Sequence, residues 1–190
     1  MAIEEKVKAF KKKELEYHNT NWVNKYLAEF SKLISEHQDD LETMNNFILS
    51  QLSKLIHTSA GIIFLKENIY MNSRLVVSST YGLNNLEKSS SSSFEIGEGM
   101  VGIALDDEET KVYGKELPED FFKISSSLGE AKPRELILVP IIFEKLKIGV
   151  IELATFQTFE PFHIEFLQRL AELMGSKIIM TMSLNGKTKQ

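Results

Sequence analysis

The residues best suited to chemistry gather in two stretches in the middle of the chain. Between Phe121 and Arg134 lie Ser125, Ser126 and Ser127, then Gly129 and Arg134, with Phe121 and Phe122 at the front. Three hydroxyls, a guanidinium and flanking aromatics resemble the wall of a small-molecule pocket. Arg134 could fork a ligand carboxylate or phosphate, or it could pair with Glu130 or Glu135 and only hold the loop down. The second stretch, Phe94 to Leu105, contains Gly97-Glu98-Gly99 and Gly102. A glycine turn feeding a helix N-terminus presents free N–H groups to an anion. Glu98 would repel that anion and no Lys stands nearby, so close packing of backbone is the better account of these glycines.

A catalytic constellation is not apparent. The four histidines (His18, His37, His57, His163) lie on or beside expected helices, and no two are four residues apart as a helical metal site requires. Ser125–Ser127 have no neighbouring His to act as base, and Glu98 and Glu152 have no visible partner. With no cysteine among 190 residues, disulfides, thiolate catalysis, Cys-based zinc sites and thioether-linked chromophores drop out together. A net charge of −5 without a basic stripe offers no field for nucleic acid. No apolar run approaches the ~20 residues that cross a bilayer. The acidic N-terminus lacks the apolar stretch of a signal peptide. The expectation is a cytoplasmic chain with no catalytic or metal residues.

The elements that position these stretches follow from glycine, proline and apolar periodicity. All ten glycines and four prolines fall after residue 57, which separates a helical arm from a mixed body. In the arm, Val23, Leu27, Phe30, Ile34, His37, Leu41, Met44 and Ile48 step by four and three, a seven-residue repeat. That repeat predicts one helix over residues 21–57, about 55 Å long, preceded by a short helix ending near His18. A break near Asp39, where Asp39-x-x-Glu42 forms a capping box, is the competing reading. Such a rod outreaches a small domain, so part of its seam is expected to pair with a second copy. In that seam His37 reads as a register-setting polar residue.

Beyond the arm, Ala60–Leu65 and Arg74–Tyr81 read as one strand pair, and Glu135–Phe143 and Lys147–Phe156 as another. A closing helix begins at Pro161. The order predicts an α+β fold, an antiparallel sheet backed by helices. The expected divisions are an arm over 1–39, a domain over 40–183 and a tail over 184–190.

Several segments, in order, resemble the GAF family: Gly97-Glu98-Gly99-Met100-Val101-Gly102, Leu138-Val139-Pro140-Ile141, Ile148 through Ala154, and Phe159 opening the last helix. Pro118 through Phe121 and Gly129 through Arg134 make the sequence similar to GAF domains of bacterial sensors and histidine kinases, in which a coiled-coil arm often begins near a Trp, here Trp22. The resemblance implies a sheet of five or six strands, loops that enclose a ligand on one face, and parallel homodimers through the N- and C-terminal helices. It implies a sensory module of two-component signalling that binds a small molecule or relays a conformational signal to a protein partner. The alternative is a docking module with a filled pocket. Leu153-Ala154 replaces the Asn-Lys pair of cyclic-nucleotide binders, and His163-Ile164 replaces their acids, so that ligand is disfavoured and any cofactor is unspecified. Ligand contacts are expected from Ser125, Ser126, Ser127, Arg134, Tyr113 and Phe122, with Glu152 a further candidate.

Overall fold

A computed structural model describes residues 2–36, 40–83, 93–114, 117, 123–126 and 129–187. Helix α1 runs unbroken over Ala2–Glu36, where two helices were expected. Nothing in residues 2–36 breaks it, because the segment has neither Gly nor Pro. Helix α2, Leu41–Ile56, is a separate element. Asp40 starts it: its extended backbone and its side chain, accepting from Glu42 N at 3.1 Å and from Thr43 Oγ1, make it the N-cap. The single long helix expected over 21–57 is therefore overturned in favour of the competing break, with Asp40 as the cap; Asp39, expected to open the capping box, lies outside the described residues. His37 lies outside the described residues.

The heptad seam is also covered differently from expectation. Val23, Leu27, Phe30 and Ile34 of α1, with Met44 and Ile48 of α2, are all buried in the chain's own core. The body closes over this seam without a second copy. It does so because the break lets α2 lie on the sheet while the second half of α1 packs along the last helix, α4 (Pro161–Lys187). Trp22 holds that junction. Its ring centroid stands 5.0 Å from that of Phe162 and 5.4 Å from that of Phe166, both nearly edge-on.

The central sheet is antiparallel, in the order β3-β2-β1-β8-β7-β4. Its strands are β1 (Thr58–Lys66), β2 (Leu75–Tyr81), β3 (Ser93–Phe94), β4 (Lys111–Tyr113), β7 (Glu135–Phe143) and β8 (Leu146–Thr155). A separate hairpin joins β5 (Ile124–Ser126) to β6 (Gly129–Ala131). Strand alternation divides the central residues between two faces. Ile63, Ile137, Val139, Ile151 and Leu153 meet the helices α1, α2 and α4. Phe64, Leu138 and Val150 meet α3 (Gly99–Asp107) on the other face, and Ala60, Leu136 and Ala154 lie beside them under Leu117. An antiparallel sheet backed by helices on one face is the α+β arrangement expected from the element order.

Three polar contacts fix α2 on β2, one of them from Ser79 Oγ to Glu42 O at 3.4 Å. Asn45 Nδ2 donates to Ser78 Oγ at 3.1 Å, and Ser53 Oγ to the Tyr81 hydroxyl at 2.8 Å. Among the described residues, no helix is long and apolar enough to cross a membrane.

Candidate functional site

The face of the sheet away from the long helices is the one that loops can close over. Its central floor is apolar apart from Glu152, with Thr80 and Lys111 at the two ends of that row. Glu152 of β8 sits opposite Ile62 of β1 and opposite Leu138 of β7. Directly opposed residues of an antiparallel ladder share a face, so the carboxyl lies between an isoleucine and a leucine, with Val150 and Ala154 next along its own strand. Among the described residues it has no hydrogen bond or ion pair. Burial alone pushes its pKa up from 4.5 to about 7.

The nearest cation in that row does not neutralise it. Lys111 of β4 pairs with Leu138 on the side away from Glu152. Its ammonium is held instead by Asp107 at 2.7 Å and Glu109 at 3.1 Å, which raise its pKa.

Tyr113 of β4 stands beside this floor. It pairs with Leu136, is half-buried, and packs against both apolar clusters of the loop-facing side. Ile124 of β5 touches one of those clusters, which brings the small hairpin to the same place. Ser125 and Ser126 follow Ile124 in β5, paired with Glu130 and Gly129 of β6. Phe122 and Ser127 lie outside the described residues. Arg134 is in the chain just before β7, where its backbone N donates to Thr155 O at 2.8 Å while its side chain is exposed. Glu135, one of its suggested partners, instead accepts from Phe159 N at 2.8 Å.

Two contributors went unread in the sequence. Lys132 Nζ donates to Leu117 O and so pins Leu117 over Ala60, Leu136 and Ala154. Met100 of α3 reaches both clusters. A lone Lys before Pro133 and a Met after a glycine turn carry no pattern, so only the fold reveals them.

The glycine turn is a packing device. Gly97 and Gly99 have φ of 83° and 61°, and a Cβ on Gly102 would stand 2.2 Å from Glu95 O. The Glu98 carboxylate turns back to accept from Glu95 N at 2.8 Å. An acid thus occupies the place where an anion would have to enter.

One family model, described as GAF domain, matches residues 38–178. The chain belongs to the GAF family. Solved structures agree at the level of fold. The GAF domain of a phosphoenolpyruvate-protein phosphotransferase from Coxiella burnetii is 19% identical with a TM-score of 0.70, covering 86% of this chain and 96% of its own. Free methionine-R-sulfoxide reductase from Neisseria meningitidis is 17% identical, TM-score 0.65, covering 85% and 91%. The GAF domain of a sensor histidine kinase from Pseudomonas syringae pv. tomato is 12% identical, TM-score 0.63, covering 92% and 96%. No curated protein matches the chain significantly. GAF domains are a regulatory and sensory family, and the reductase among these structures puts catalysis on the same fold. Among the described residues of this GAF domain, no three His, Asp or Glu side chains are grouped to hold a metal.

Proposed function

We propose that this GAF domain is a cytoplasmic sensory module of signal transduction that binds a small molecule on the loop-facing side of its sheet, with Glu152 as the polar anchor. The observation that carries this reading is the carboxyl of Glu152, set between Ile62 and Leu138 with no partner among the described residues. Glu152 is half-buried, a desolvated acid without a partner is costly, and a ligand bearing an N–H or cationic group would relieve that cost. Tyr113, Phe122 and the hydroxyls of Ser125, Ser126 and Ser127 would line the remainder, with Arg134 at the rim. β8 runs on through Thr155 toward α4, so strain from a bound ligand has a short path to α4 and to α1 beside it. The module is dimeric through these terminal helices, and its output partner would read their displacement.

A thermal-shift screen with amino acids, polyamines and nucleotides tests the reading. A ligand at 100 times its Kd adds about 2.7 kcal/mol. Glu152→Gln should abolish the response to a cationic hit while leaving the fold intact. A response retained in that variant removes Glu152 from the site.

A second reading rests on α3. Val101, Ala104 and Leu105 are fully packed against Phe64, Leu75 and Val150 and fill one half of the loop-facing side. A domain filled in this way throughout would serve docking alone, and it would respond to no member of the screen.

A further inference from the structure

The exposed apolar residues of α1 form a stripe that the domain leaves uncovered. Ile3, Val7, Phe10 and Tyr17 recur at helical spacing and are 79%, 49%, 68% and 66% exposed. At 3.6 residues per turn, about five turns bring the helix back to the same face. Phe10 is thereby aligned with Ala28, Lys6 with Asn24, and Lys13 with Ser31. One stripe is therefore bulky in its first half and small in its second. Beside the small half, Ala28 and Ser31 of α1 and Ser176 of α4 line an open groove of about 1290 Å³. Its acids are Glu108, Glu109, Glu144 and Glu172; Lys147 and Lys111 pair with Glu108 and Glu109, which leaves Glu144 and Glu172 beside one lining base, Arg169.

We infer that the occupant of this groove is α1 of a second copy, running antiparallel. Ile3, Val7 and Phe10 of each copy then cover Ser31, Ala28 and Asn24 of the other, and the two Tyr17 rings meet in the middle. Each of these pairs is centred within half a residue of position 17, as a two-fold axis near that point requires. Bulky residues meet small ones toward both ends of the seam, and Glu14 lies beside the central Tyr17 pair. Lys6 and Lys13 share the stripe's edge with Asn24 and Ser31, the edge that borders α4, so they reach the acids of the facing groove. A parallel pair would set Phe10 on Phe10 and Ala28 on Ala28, and would leave both the groove and its charge unmatched. The inference rests on the dimeric reading above and replaces the parallel arrangement that the family resemblance implied.

The absence of cysteine makes the test clean. Positions 7 and 28 of one helix are about 31 Å apart, so a disulfide in Val7→Cys/Ala28→Cys must join two copies, with Cα atoms roughly 4.4–6.8 Å apart. Under mild oxidation this double variant should become a covalent dimer, and Ala28→Cys alone should not. Phe10→Asp should weaken dimerisation at least tenfold by sedimentation, with unchanged helix content by circular dichroism. Self-crosslinking of Ala28→Cys, or a double variant that dimerises without crosslinking, overturns the antiparallel register and spares the dimer. Solitary wild-type molecules at tens of micromolar overturn both.

Discussion

Ile62 and Glu152 face each other across β1 and β8, an apolar side chain directly opposed to a carboxyl that burial holds at a pKa of about 7. The unfolded chain ionises this group near 4.5, so between these values the folded state binds more protons. Stability is then fully retained below pH 4.5 and is lost as pH rises through 7. Glu152→Gln removes the penalty. The variant should match the wild type at pH 4 and exceed it by about 1–3 kcal/mol at pH 8, as measured by urea denaturation. Equal stability of the two proteins at pH 8 would show that the carboxyl is already satisfied.

His163 behaves in the opposite sense. It sits in the first turn of α4, its ring 5.4 Å from that of Trp22 and 4.3 Å from that of Phe162. Its Nδ1 accepts from Glu160 N at 3.3 Å, which requires that nitrogen to be unprotonated. Burial lowers its pKa below 6.5; Glu160 opposes this and His57 adds to it. The unfolded state therefore binds the proton first, and stability falls as pH drops from 6.5 through the folded value. Trp22 is the chain's one tryptophan, so its fluorescence titration reads this histidine. The midpoint should lie below 6.5 and vanish in His163→Gln.

Asp40 offers a local check on the break between α1 and α2. Its side chain accepts from Glu42 N and Thr43 Oγ1, so Asp40→Ala should cost about 1 kcal/mol. Asp40→Asn should recover most of it, because the amide oxygen can still accept. If both variants are neutral in chemical denaturation, the start of α2 is held by packing alone.

The strand pairs, the last helix and the glycine turn were legible because each has a local cause: β-branched runs, Pro161 at a first helical turn, and glycines where φ is positive. The break at Asp40 was harder to read. An unslipped 3–4 apolar spacing continues across two helices when both pack on one core, so periodicity could not distinguish one rod from two segments. The same ambiguity gave part of this seam to a partner, although the chain's own core covers Val23 through Ile34. At the site, Glu152 and Tyr113 were named from the sequence, and the sheet brings both to the loop-facing side. Leu117, Lys132 and Met100 reach it through tertiary packing, which leaves no mark on sequence spacing.

Phe166 decides whether α1 is held by its own domain. It is fully buried in α4, with Trp22 and Phe30 of α1 edge-on at 5.4 and 5.3 Å between ring centroids. Truncation removes the transfer energy of the ring and leaves a cavity that two aromatic neighbours on a rigid helix cannot refill. Phe166→Ala should therefore cost about 3–5 kcal/mol. Because Trp22 loses a wall of its pocket, its emission should shift to the red in the native state before any global unfolding. A variant with the full stability loss but unchanged native Trp22 emission would mean that the second half of α1 is not seated on α4 in solution. The groove beside Ala28 and Ser31 would then have no fixed wall to receive a second chain.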